Sequence, residues 1–276
     1  MNYSECIENA RTRIGNYCKA CPECNGRACK NQMPGPGAKG VGDTAIRNYE
    51  KWKDIRINMD TLCANKKVDT SLNIFGKSFR YPFFAGPVGA VNLHYGEKYN
   101  DASYNEVLVS ACAKAGIAAM TGDGVNADVM KCATEAIKKS AGIGIPTVKP
   151  WNLETVKEKM RLVEDSGAFA VAMDVDAAGL PFLKNMTPPA GRKSVEELHK
   201  IAASTRAPFI VKDHDCEGST ESRGSRSRCD CRVESWRACA GSMSGYRRSS
   251  GRDCKSSKGE NEDFCGWRNP LRCGCV

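Results

Sequence analysis

Four cysteines, Cys18, Cys21, Cys24 and Cys29, stand at C-x2-C-x2-C-x4-C spacing. Thiolates this close in sequence can hold an iron–sulfur cluster or a tetrahedral zinc ion. The same spacing suits a loop of reduced thiols, and both readings stay open. A second candidate is acidic. Asp174 and Asp176 follow the apolar run 169–173, and a carboxylate at the C-terminal end of a parallel strand lies where barrel enzymes place their chemistry. A carboxylate that caps the loop would do none. Gly35, Gly37 and Gly40 have G-x-G-x-x-G spacing, but a dinucleotide loop needs a strand before it and a helix opening at its third glycine. Here a polar, cysteine-rich stretch precedes and Pro36 interrupts, so the segment reads as a connector. His94 and His199 are isolated from other ligand types and read as surface or structural residues.

The elements that must position these residues are strand–helix units. From 81 to 212 short apolar runs alternate with amphipathic segments, the signature of parallel strands joined by helices. The runs 82–85, 117–120, 143–148, 169–173 and 208–212 are the expected strands. Helices are expected over 104–115 and 153–166, where Val107, Leu108 and Ala111, then Val156, Met160 and Val163, fall at helical spacing. Ser194 and Glu197 form a capping-box pattern ahead of a third helix over 195–204. Gly116 and Gly167 follow two of the helices, where a left-handed C-cap would need glycine. Five units with right-handed crossovers fit a doubly wound sheet or the first five-eighths of a (β/α)8 barrel.

Composition bounds the function. The 276 residues are 41% hydrophobic and carry a net charge of +9, which excludes a disordered or collagen-like chain. Charges of both signs are interspersed, so no nucleic-acid partner is expected. No apolar run reaches the roughly 18 residues of a membrane span, and charges occupy the N-terminus where a signal peptide would be apolar. A cytoplasmic protein with no membrane partner is expected. That expectation fits 16 cysteines badly, because cytosolic thiols rarely accumulate without a metal or redox role. Eight of them lie in 213–276, together with 10 of the 19 arginines and only three Ile, Leu or Val residues. The chain therefore divides into a cysteine- and glycine-rich extension (1–45), a β/α body (46–212) and an Arg/Ser/Cys-rich tail (213–276).

The body carries a specific likeness. Asn-Met-Asp at 58–60, Val-Asp-Thr-Ser-Leu at 68–72, Phe-Gly-Lys at 75–77 and Tyr-Pro-Phe-Phe-Ala-Gly-Pro-Val-Gly-Ala at 81–90 together resemble the FMN-dependent α-hydroxy-acid oxidase and dehydrogenase family. The resemblance covers roughly 40–212. It implies a (β/α)8 barrel, here incomplete at about five units, with FMN as cofactor. It also implies a small 2-hydroxy acid such as L-lactate or glycolate as substrate, and a homo-oligomer in an intact homologue. By position, Pro87, Val88 and Gly89 would line the flavin. Gly122, after Thr121, stands where the family has a flavin-contacting serine. Thr147 and Lys149 replace a Gln-x-Tyr pattern and would contact flavin. Asp174 would orient the catalytic histidine. Lys212 would sit by the flavin N1/O2 edge and stabilise its anionic reduced form. A tyrosine usual in the family is absent around Met33.

The family's Ser-Asn-His-Gly-Gly-Arg run is missing from the chain as written. In the family its histidine takes the hydroxyl proton as hydride moves to flavin N5, and its arginine pairs the substrate carboxylate. The tail offers a cause. Residues 231–239, Cys-Arg-Val-Glu-Ser-Trp-Arg-Ala-Cys, can be encoded TGT CGT GTC GAA TCA TGG AGG GCG TGT. Read from the second base, this gives Val-Val-Ser-Asn-His-Gly-Gly-Arg. The same displacement over 262–276 can yield Lys-Ile-Phe-Val-Asp-Gly-Gly-Ile-Arg-Ser-Gly-Val-Asp-Val, the family's next phosphate-binding signature, in the right order. A frame slip at about Asp213 is therefore expected, leaving a product without turnover. The competing reading is a catalytically inert fragment or a non-catalytic metal-binding protein, using the N-terminal cysteines or the tail pairs Cys229-x-Cys231 and Cys273-x-Cys275.

Overall fold

The structure is a computed structural model, and it describes residues 2–15, 18–29, 43–56, 62, 64, 67–179, 183 and 185–212. The connector glycines, Cys63 and the whole 213–276 tail lie outside the described residues. Helix α1 (Tyr3–Arg11) opens on a capping box between Asn2 and Glu5. The cysteine-bearing stretch that follows packs on α2 (Asp43–Trp52): Arg27 pairs with Glu50 at 3.0 Å, and the Tyr49 hydroxyl donates to Glu23 at 2.5 Å. Helix α2 spans the junction expected at residue 45.

Strands β1 (Leu72–Ile74) and β2 (Lys77–Phe79) form an antiparallel hairpin. Its two turn residues, Phe75 and Gly76, both have positive φ (50° and 74°), as the right-handed twist of a two-residue hairpin demands. Helices α3 (Val91–Tyr95) and α4 (Asp101–Ala115) precede β3 (Met120–Thr121). Then come α5 (Ala127–Lys139), β4 (Ile145–Val148), α6 (Leu153–Ser166), β5 (Val171–Asp174), a 3-10 turn (Val175–Gly179), α7 (Val195–Ala202) and β6 (Phe209–Lys212). The sheet order is β3-β4-β5-β6, parallel throughout. The first expected strand, 82–85, contributes a single parallel bridge, Ala85 to Ala119, with hydrogen bonds of 3.0 and 2.8 Å on its two sides. Proline at 82 cannot donate to the ladder, and Ala85 alone among 82–85 pairs there. Each strand neighbours the next in sequence, the order of a (β/α) barrel, here partial.

The helix ends follow the expected chemistry. Gly116 and Gly167 take left-handed φ of 78° and 66°, closing α4 and α6. Ser194 Oγ accepts from the Glu197 amide at 3.2 Å while Glu197 accepts from the Ser194 amide at 2.8 Å.

Alternation along the strands sorts two cores. Val148, Val171, Met173 and Phe209 face outward and pack with Val156, Met160 and Val163 of α6 and Leu198 and Ile201 of α7. Ala118, Met120, Ile145, Ala170, Ala172 and Ile210 face the other way, and Ile74 and Phe79 of the hairpin join them. This inner face is apolar at the N-terminal end of the strands. One and two pleats further along, it becomes Gly122, Thr147 and Lys149, Asp174 and Lys212.

Candidate functional site at the strand ends

The register that builds the sheet also builds the site. Asp174 and Lys212 are partners across β5 and β6, so their side chains leave adjacent strands at the same height. Lys212 Nζ lies 2.5 Å from Asp174 Oδ1 and 3.8 Å from Asp176 Oδ1, and the Lys212 side chain is only 2% exposed. Lys149, one residue beyond β4, brings its Nζ to 3.9 Å from Asp174 Oδ2 and is 20% exposed. Two ammonium groups thus face two carboxylates at the C-terminal end of the sheet. Burial alone would raise the pKa of Asp174; the Lys212 charge, a side-chain contact with Asp176 and the Lys149 charge outweigh it and hold the carboxyl well below the usual range.

Thr147 lies one pleat deeper on the inner face. Its hydroxyl is buried and has no hydrogen-bond partner among the described residues. A buried unpaired hydroxyl costs about 1–3 kcal/mol. Thr121 has the same unpaired hydroxyl but alternates to the helix-facing side with Ala119, away from the other site residues.

The loop after the Ala85 bridge is pressed onto β3. A Cβ at Gly122 would sit 2.4 Å from the Val88 carbonyl oxygen and 3.0 Å from the Gly89 amide nitrogen. The serine of the family pattern has no room here in this arrangement. Pro87, Val88 and Gly89 are half-buried, with main chain against Gly122. The structure therefore brings together two groups at the strand ends: the loop with Gly122, and Thr147, Lys149, Asp174 and Lys212 beside them.

One participant escaped sequence reasoning. Asp123 is wholly buried and accepts four hydrogen bonds: from the Gly124 amide (2.8 Å) and Lys159 Nζ (2.6 Å) on Oδ1, and from the Lys149 amide (3.0 Å) and Trp151 Nε1 (2.6 Å) on Oδ2. It sits directly after Gly122 on the helix-facing side of the mouth.

The N-terminal thiols are not drawn together. Cys18, Cys21, Cys24 and Cys29 are free, and no three His, Cys, Asp or Glu side chains among the described residues form a group able to hold a metal. A tetrahedral or cluster site needs its ligands to converge on one point, which the packing of this stretch on α2 does not achieve. His94 is half-buried, and burial outweighs the attraction of Asp101 to lower its pKa. His199 lies on α7, away from the site.

A partial parallel barrel with cationic and anionic groups at the C-terminal mouth carries its charges where barrel enzymes of many chemistries place their sites. Residues 35–187, more than half of the chain, match the model of the FMN-dependent dehydrogenase family, and the chain belongs to that family, whose cofactor is FMN. No curated protein matches it in sequence. Among solved structures it is similar to a putative lactate oxidase of Pediococcus acidilactici (TM-score 0.58, 14% identity, 87% of this chain and 69% of that one). It is also similar to a mandelate oxidase variant (0.57, 16%, 79% and 63%) and to the flavin-binding domain of baker's yeast flavocytochrome b2 (0.52, 15%, 64% and 48%). Such identities speak for the fold alone. The chain spans about half the length of the flavocytochrome b2 structures it matches. No described helix is long and apolar enough to cross a membrane.

Proposed function

We propose that residues up to Lys212 are the opening units of an FMN-dependent oxidoreductase acting on a small 2-hydroxy acid such as L-lactate or glycolate. The observation that carries this reading is the Lys212–Asp174 pair at the mouth of a sheet whose first three strands, Asp174 included, lie within the residues 35–187 that match the family. When bound, FMN supplies the hydride acceptor at N5.

The residues present fit that group. Thr147 offers a buried hydroxyl without a partner. The Val88 and Gly89 main chain lies against the bare Gly122 backbone, and Pro87 precedes it on the same loop. Lys149 and Lys212 would offer positive charge to an anionic reduced flavin bound at the mouth, and Lys212 is held by Asp174. Asp174, ionised throughout the neutral range, is suited to orient a histidine by accepting a hydrogen bond from its Nδ1–H, in keeping with the orienting role the family gives it.

The polypeptide itself lacks that histidine and the substrate-binding arginine, and we infer that the reading frame slips at about Asp213. Support comes from the abrupt change of composition after Lys212 and from the two family motifs recovered in order by a one-base displacement. Resequencing the locus tests this directly. A one-base insertion or deletion near codon 213 is expected, and the frame-restored product should purify yellow and bleach with L-lactate or glycolate. An uninterrupted frame whose codons cannot be shifted into those motifs would sink the slip. A colourless frame-restored product would sink the flavin reading. Homo-oligomerisation and a cytoplasmic location belong to the same proposal, checked by sizing that product and by fractionating cells.

A further inference from the structure

Lys149 and Lys212 are held in opposite ways. Lys212 is fixed by its head group, 2.5 Å from Asp174 and almost wholly buried. Lys149 is ten times more exposed and its ammonium lies 3.9 Å from the nearest carboxylate oxygen. A lysine head on four rotatable bonds has no fixed position of its own. What is fixed at Lys149 is its main chain: the amide donates to Asp123 Oδ2, and Trp151 Nε1, two residues on, donates to the same oxygen. The other oxygen takes Lys159 Nζ from α6, whose ammonium also lies 5.6 Å from the Trp151 ring centroid. The carboxylate thereby ties the end of β3, the turn after β4 and helix α6 into one unit, with Asp123 and Trp151 fully buried. Its acceptor sites are all spent on this task, so Asp123 has nothing left for a ligand.

We propose that Asp123 is a positioning residue that clamps the Lys149 main chain from the helix side of the sheet and so fixes where the Lys149 ammonium enters the mouth as its ligand-facing cation. This rests on reading the mouth as the flavin site. The clamp matters because misplacing a binding group by about 1 Å can cost up to a hundredfold. Lys159 neutralises the buried carboxylate, without which the clamp would carry a bare charge.

The test is a binding cycle on the full chain, following FMN fluorescence as the flavin is titrated with wild type, Lys149→Met, the paired Asp123→Leu/Lys159→Met variant, which removes the acceptor as well as the charge, and the triple variant. Changing Asp123 and Lys159 together avoids leaving a single buried charge. Lys149→Met and the paired variant should each weaken FMN binding by about tenfold, and the triple should be no weaker than Lys149→Met, because effects through one shared group are not additive. Multiplying losses in the triple, or a paired variant that binds as wild type does, would overturn the proposal. Amide exchange decides independently of flavin. The Lys149 amide should exchange about tenfold faster in the paired variant while Val171 and Ile210 stay protected; an unchanged Lys149 rate overturns the clamp. Wild type that fails to bind FMN is what loss of the phosphate-binding signature after Lys212 would produce; the flavin reading is then judged on the frame-restored product, and the exchange result alone decides for or against Asp123.

Discussion

Asp174 and Lys212 are register partners on adjacent parallel strands, and their side chains meet at 2.5 Å on the inner face of the sheet. Backbone pairing and charge pairing therefore enforce each other. A slip of β6 by one residue would turn Lys212 toward the helices and Val211 into the mouth. The pair specifies the register of the last strand as well as furnishing the site.

Lys212→Met should be strongly destabilising. It leaves Asp174 largely buried with only the distant Lys149 as counter-charge, and removing one member of such a pair costs about 3–5 kcal/mol. The urea midpoint measures it. A midpoint within error of wild type would show that the pair holds nothing together.

Acid should weaken the fold through Asp174. Its folded pKa is depressed, chiefly because the Lys212 charge, helped by Asp176 and Lys149, outweighs the effect of burial. A depressed carboxyl contributes stability that is complete above its unfolded value, about 3.9, and is lost as pH falls toward the folded value. Urea midpoints should therefore drop between pH 5 and pH 3. Asp174→Asn, which cannot titrate, should show a shallower drop over that window, and equal slopes would assign acid sensitivity elsewhere.

Gly122→Ala should displace the 87–89 loop. Its methyl would lie 2.4 Å from the Val88 carbonyl oxygen, a main-chain atom that can give way only if the loop itself moves. Overpacking of this kind costs about 1–3 kcal/mol, and FMN affinity should fall with it. Gly191→Ala is the control, since nothing lies within 4 Å of its added carbon. Similar effects at both positions would defeat the argument.

Asn105→Leu should leave stability unchanged or raise it. Asn105 is fully buried on α4, and neither its amide oxygen nor its nitrogen has a partner among the described residues. An apolar side chain of similar size removes that desolvation cost. Thermal denaturation of the full chain checks it, and a clearly lowered Tm would reveal a hydrogen-bonding role for the amide.

Much of this was legible in the sequence because the decisive signals are local. The runs at 145–148 and 209–212 are buried on both faces and read as parallel strands. Gly116, Gly167 and the Ser194–Glu197 box mark helix ends within four residues of the elements they close. Helix α5 carried a readable signal in Met130, Ala133 and Ile137 on one face behind an Asn126 cap, but its polar residues obscure it. The Asp123 clamp was not legible. Its partners lie 26, 28 and 36 residues away, so no spacing within one element announces it. The cysteine spacing is a different case, since among the described residues the thiols do not form a group of three metal ligands.

Among the described residues β6 pairs with β5 alone. Each strand docks on the one made before it, so the sheet can grow in the order of synthesis from contacts short in sequence. The side of β6 away from β5 is then always the newest surface. Should the frame slip at about Asp213, as proposed, the product would amount to a nascent-chain intermediate released from the ribosome, with the last strand of its sheet as the edge that chaperones meet.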